Sequence, residues 1–154
     1  MSQTVLITGA SNGIGKACAR VFARKGYDLV LVARHREKLE AVKAELSEYN
    51  VQIKVIAMDL TGEDAAVDLY NDLVLDDISI DILVNNAGFG DHGAFHDSSW
   101  EKQKKMVLLN IVALMQMTYV FGQSMKRRKK GRILNVASIA GLCAGPYMST
   151  YYAT

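Results

Sequence analysis

The 154 residues are 50% hydrophobic, with mean hydropathy +0.07 and a formal charge of +2 from 18 basic and 16 acidic side chains. That size suits one domain able to bury roughly two thirds of its unfolded surface. The balanced charge argues against a nucleic-acid or polyanion partner and leaves a small molecule as the expected one. Cys18 and Cys143 form no Cys-x-x-Cys pair, so neither a disulfide framework nor a zinc site is supported and a reducing compartment fits. Met1-Ser2-Gln3-Thr4 runs directly into a strand without a basic leader, which predicts a cytoplasmic protein.

Short β-rich runs alternate with helical periodicity, the pattern of stacked βαβ units and a parallel sheet. Val5-Leu6-Ile7 is the first strand, and Ile14, Ala17, Cys18, Val21 and Phe22 recur as one helix face that Gly26 ends. Leu29 to Val32 is the second strand. Arg36 to Tyr49 is a polar helix with Leu39, Val42 and Leu46 on a stripe, and Val51 to Ala57 is the third strand. A shorter helix carries Ala66, Leu69 and Leu73, followed by a fourth strand from Ile80 to Val84 and a glycine-containing loop from Gly88 to Gly93. Ser98 and Glu101 form a capping box that opens a long helix to about Lys130, broken by Gly131. Its stretch Met106 to Phe121 is apolar on nearly every side. Asn110, Gln116 and Thr118 interrupt it and it is shorter than the roughly 20 residues that span a bilayer, so burial in the domain or against another subunit is expected rather than a membrane. Arg132 to Val136 is the fifth strand.

The turn after the first strand reads Thr8-Gly9-Ala10-Ser11-Asn12-Gly13-Ile14-Gly15. Glycines there allow a tight turn and close approach to a pyrophosphate, which the helix N-terminus receives with free N–H groups and its dipole. In dinucleotide folds an acidic residue about 20 positions on holds the ribose hydroxyls. Ala33 stands there, followed by Arg34, whose guanidinium suits a 2′-phosphate. NADP(H) is therefore the expected cofactor rather than NAD, the alternative being that Arg34 is a solvated loop cation.

Four more features join the glycine turn in order: Asn85-Asn86-Ala87-Gly88 after the fourth strand, Asn110 in the long helix, Ser138, and Tyr151-Tyr152-Ala153-Thr154. The combination resembles the short-chain dehydrogenase/reductase family from Thr4 to Thr154. The resemblance implies a Rossmann-like doubly wound α/β fold, three layers with the C-terminal strands absent, as one NADP-binding domain over residues 1–154. It implies cofactor contacts from Gly9, Ser11, Asn12, Gly13, Ile14, Gly15, Arg34, Asp59, Leu60, Asn86, Ala87 and Gly88, with Asp59 at the adenine. It implies catalytic roles for Asn110, Ser138 and Tyr151, and a homo-oligomer, dimer or tetramer, paired through the long helix.

Hydride transfer belongs to the nicotinamide, and the protein places the carbonyl and moves a proton at its oxygen. By the resemblance, Ser138 polarises that oxygen and Tyr151 is the acid. An ordinary tyrosine, with a pKa near 10, needs roughly 4 kcal/mol of phenolate stabilisation to titrate about three units lower. The family supplies it from a lysine that would follow Thr154, which Asn110 links to solvent through water. With that residue outside the chain, Asn110 has no evident partner. The family continues with further βα units, so the expectation is a fragment of a longer enzyme, its fifth strand an exposed edge.

The expected activity is NADPH-dependent reduction of a ketone or aldehyde. The Leu142-Cys143-Ala144-Gly145-Pro146-Tyr147-Met148 stretch, with Phe89 and Phe95, leans toward an apolar substrate. The alternative is a truncated NADP-binding or regulatory protein without turnover. Lys126 to Lys130 reads as a solvated helix end. His92 and His96 are not read as metal ligands, because Gly93 intervenes and no acidic residue completes a zinc pattern.

Overall fold

The computed structural model describes residues 2–143 and 145–154. Met1 and Ala144, which figured in the leader and apolar-stretch readings, lie outside the described residues. Five parallel strands, β1 (Thr4–Thr8), β2 (Asp28–Ala33), β3 (Ile53–Ala57), β4 (Ile82–Asn85) and β5 (Arg132–Asn135), form one sheet in the order β3-β2-β1-β4-β5. The expected α/β fold is thus present, with strand ends shifted by one or two residues.

The side-chain alternation of a strand explains the layers. On β1, Val5 and Ile7 enter a core shared with α1 (Gly13–Arg24) and α2 (Arg36–Glu45), alongside Leu31 and Leu39. Leu6 points the other way, into a core with α3 (Ala65–Leu75) and the long helix, where it joins Leu83, Leu69 and Phe121. Because β1 and β2 lie inside the sheet, their apolar run is continuous rather than alternating.

Helix α1 departs from the expected face. Its buried stripe is Gly15, Ala19 and Ala23, while Ile14 is 60% and Val21 43% exposed and Ala17 is exposed. A helix lying this close to the sheet admits only small side chains at its contact line; of the expected face, Cys18 and Phe22 are half-buried against the core, while Ile14, Ala17 and Val21 turn outward. Gly26 does end the helix, at φ +79 with its N–H on the carbonyl of Ala23.

The long helix runs continuously from Trp100 to Arg128. It comprises α4 (Trp100–Val107), a π-helical segment (Leu108–Ala113) and α5 (Leu114–Arg128). Two expectations are corrected here. Ser99, not Ser98, is the N-cap and makes no side-chain cap bond, because the Ser98 hydroxyl is spent on the carbonyl of Ala94. The helix stops at Lys129 in the left-handed conformation, φ 53, rather than at Gly131. Its 29 residues contain an 18-residue window of mean hydropathy 1.4, long and apolar enough to cross a membrane, of which 22% is buried. One stripe, Ala113, Met117, Phe121 and Met125, packs on the sheet, Met106 is buried nearer the start of the helix, and Val107, Val112, Met115 and Tyr119 remain open.

The expected exposed edge is present: all four residues of β5 are exposed, Leu134 by 47%. The basic run is only partly a solvated face. Arg128 and Lys130 both pair with buried Asp81, which also accepts the N–H of Thr4, fastening the helix end to the start of β1.

Candidate functional site

The chain passes from β3, at one edge, across to β4 on the far side of β1. The loops leaving β1 and β4 therefore diverge at a switch point, where sheets of this kind bind ligands. The turn after β1 and Asn86 to Gly88 after β4 meet there.

Thr8 joins them. Its hydroxyl oxygen accepts the N–H groups of Asn86 and Ala87, each at 2.9 Å, and donates to the carbonyl of Val84 at 3.3 Å. The Asn86 amide returns to the carbonyls of Thr8 at 3.0 Å and Gly9 at 3.3 Å. Sequence reasoning passed over Thr8 as a site residue; its signal was a hydroxyl at the buried end of a strand, where the neighbouring loop can use it.

The glycines divide into two kinds. A Cβ on Gly9 would lie 2.9 Å from the Ala87 Cα, and one on Gly15 would collide with the Gly9 carbonyl and lie 2.6 Å from the Asn86 amide. These two keep the turn closed against the β4 loop. Gly13, at φ +51, meets nothing within 4 Å and faces open space at the start of α1. Asn12 precedes it in extended conformation without a side-chain cap bond, and the first turn holds no acidic residue. The N-terminal donors of α1 are thus left for an outside acceptor, and the Gly13 opening gives an anion room to reach them. Ser11 is half-buried beside this opening, while Asn12 and Ile14 are exposed. A dinucleotide pyrophosphate fits this arrangement.

At the end of β2 Arg34 is exposed, and its positive charge acts on Asp59 beyond β3. Burial works to raise the Asp59 carboxyl, but the N–H and hydroxyl of Thr61, at 3.0 and 2.9 Å, together with Arg34, hold it below the usual carboxylate range. Both Thr61 bonds use Oδ1, which leaves Oδ2 to outside donors. Leu60 is 6% exposed and belongs to the core, so only its backbone faces the site.

Asn110 lies in the π-helical segment, where the widened turn turns its amide toward the β4 loop. Oδ1 accepts the Phe89 N–H at 3.1 Å, and Nδ2 donates to the Phe89 carbonyl at 2.9 Å and the Thr154 hydroxyl at 2.9 Å. This corrects the expectation that Asn110 has no partner. Nothing in Leu108 to Ala113 signals the π turn, which contains neither Gly nor Pro. Gly88 passes so near that a Cβ there would be 3.2 Å from Asn110 Oδ1. Asn85, just before, donates to Thr118 and Asn135, each at 3.0 Å, tying β4 to α5 and β5.

Ser138 caps the 3-10 turn Ile139–Gly141 by accepting the Ala140 N–H at 3.2 Å; among the described bonds its hydroxyl donates to nothing. Tyr151 lies in α6 (Ser149–Ala153), half-buried, and α6 packs against that turn. Ser138, Tyr151 and Asn110 thus gather with Gly88 on the switch-point side of the sheet.

Strand order, switch point and glycine turn define a Rossmann-like α/β fold. The short chain dehydrogenase family matches residues 3–154. The chain is 36% identical over 152 residues to the very-long-chain 3-oxoacyl-CoA reductase of Coccidioides immitis (strain RS), covering 95% of this chain and 43% of that protein. A short-chain dehydrogenase from Sphingobium yanoikuyae, solved with NADPH, superposes with a TM-score of 0.90 at 38% identity, over 98% of this chain and 59% of that one. The bulky-bulky ketone specific alcohol dehydrogenase from Comamonas testosteroni gives a TM-score of 0.90 at 37% identity, over 98% and 61%. The chain belongs to the short-chain dehydrogenase/reductase family of oxidoreductases. It spans about half the length of the curated relatives it matches, 43% and 50% for the first two.

Proposed function

We propose that residues 1–154 are a single NADP(H)-binding domain and that the protein reduces a ketone or aldehyde with NADPH. The observation that carries this reading is the exposed Arg34 at the end of β2, where Ala33 offers no acceptor to ribose hydroxyls. The NADPH complex of a 38% identical neighbour supports it.

In this reading the first-turn N–H groups of α1, with Ser11 and Asn12, hold the pyrophosphate, and Gly13 leaves room for it. Ile14 forms an apolar lip. Arg34 takes the 2′-phosphate, Asp59 Oδ2 accepts from the adenine amino group, and Asn86, Ala87 and Gly88 wall the nicotinamide side. When bound, the cofactor supplies the hydride. The Ser138 hydroxyl, with its proton uncommitted, donates to the substrate oxygen, and Tyr151 delivers the proton that completes the alcohol. Asn110 holds the loop on which this geometry depends.

The substrate class is an apolar carbonyl. The 3-oxoacyl-CoA reductase and bulky-ketone names of the relatives support this, as do exposed Leu142, Tyr147 and Phe95 beside Ser138 and the β4 loop. The open apolar face of the long helix, Val112, Met115 and Tyr119, is assigned to a second subunit in a dimer or tetramer rather than to a membrane. A cytoplasmic location accords with that assignment.

Deuteride transfer tests the reading. The full-length protein, given 4-deuterated NADPH with bulky ketones or 3-oxoacyl thioesters, transfers deuterium to the carbonyl carbon, and Tyr151→Phe slows this at least about 100-fold. Tight NADPH binding without transfer to any carbonyl replaces it with the non-catalytic binder.

A further inference from the structure

The loop that leaves β4 carries Gly90, whose φ lies outside the left-handed range, so its backbone conformation does not itself demand glycine. Its surroundings do. A Cβ at position 90 would lie 3.2 Å from both Cγ and Cδ2 of the Tyr151 ring and 3.3 Å from the Met148 methyl. Such separations are tighter than side chains ordinarily accept, so the neighbour would move by a few tenths of an ångström.

The loop has little freedom to retreat instead. On one side of Gly90, the Asn110 amide holds both the N–H and the carbonyl of Phe89. On the other, Asp91 pairs with Lys102, and the Gly93 N–H donates to the Tyr147 carbonyl at 2.8 Å. The second bond ties the loop to the segment that enters α6. Tyr152, the adjacent residue, is received elsewhere: its phenol lies where a Cβ on Gly145 would be. Each of the two tyrosines thus rests on a glycine, in a different part of the chain.

We propose that Gly90 is a positioning residue for Tyr151, its missing side chain setting how deeply the phenol ring seats against the β4 loop. This rests on the reading of Tyr151 as the proton donor. It makes position 90 a determinant of proton-transfer geometry through its contact with the Tyr151 ring.

The test compares Gly90→Ala with Gly93→Ala in the full-length protein. Gly93 belongs to the same loop, and a Cβ there meets nothing nearer than the Ser98 hydroxyl at 3.5 Å, so it controls for loss of a glycine alone. Gly90→Ala is expected to shift the ring resonances of Tyr151 but not Tyr152 in tyrosine-labelled NMR spectra. It should also lower kcat about tenfold, with KM for NADPH within about twofold, since sub-ångström misplacement of a reacting group acts on the chemical step. Gly93→Ala should do neither. If Gly90→Ala does not fold, Gly90→Ala with Met148→Ala removes the second contact and carries the same two expectations. A Tyr151 ring that does not shift, or a kcat that does not fall, overturns the proposal. Full activity in Tyr151→Phe would instead overturn the reading beneath it.

Discussion

The two ends of the site are held by different forces. Around the β1 turn, support comes from packing: Val5, Leu6 and Ile7 are fully buried, and Gly9 and Gly15 close the turn by leaving no room for a side chain. Around Ser138 and Tyr151, β5 is exposed and support comes from polar clamps, Asn110 on Phe89 and Thr154, and Gly93 on Tyr147. A packed site is preformed and tolerant of solvent conditions, whereas a clamped one is adjustable and fails one bond at a time. The β1 turn is the rigid reference against which the Ser138 and Tyr151 region is placed.

Thr8 is where the two regimes join, and Thr8→Val is the largest expected break. It removes the acceptor from the N–H groups of Asn86 and Ala87 at nearly constant volume, which should cost about 4 kcal/mol in denaturant unfolding. A loss under about 1 kcal/mol would mean that solvent reaches those donors. Gly15→Ala follows, at about 3 kcal/mol, because the added carbon overpacks against backbone. Gly13→Ala, with open space but a positive φ, should cost only about 1 kcal/mol while weakening NADPH binding. Equal losses at Gly13 and Gly15 would erase the distinction between the two kinds of glycine.

Much of this was legible in the sequence, and the failures share a cause. Strand runs, the glycine turn and the Asn-Asn-Ala-Gly segment are marked by local residue chemistry, whereas Asn110, Ser138 and Tyr151 were singled out by the family resemblance. What was missed depends on distance of approach. The face of α1 was partly misplaced because closeness to the sheet selects Gly15, Ala19 and Ala23 over the larger Ile14 and Val21. The π turn at Asn110 and the role of Gly90 arise from contacts with residues 21 and 61 positions away, which no spacing rule encodes.

Asp81 gives an effect that depends on pH. Burial raises its carboxyl, but hydrogen bonds from Lys130 and the Thr4 N–H, with the charges of Lys130 and Arg128, outweigh that and hold it below the ordinary value. Its folded pKa is depressed, so its contribution is complete above the unfolded pKa near 4 and fades as pH falls through the folded value. Asp81→Asn should therefore cost about 2 kcal/mol at pH 7, and the mutant and parent unfolding curves should converge in acid, once pH has fallen through the depressed folded value. A gap that persists there would remove the charge from the explanation.

The most direct test of the account is the affinity of the full chain for NADPH against NADH, measured by fluorescence titration in the parent and in Arg34→Asp. If Arg34 receives the 2′-phosphate, the parent prefers NADPH by about 100-fold, or about 2.7 kcal/mol, and Arg34→Asp abolishes the preference by weakening NADPH binding. Equal affinity for the two cofactors in the parent would contradict it.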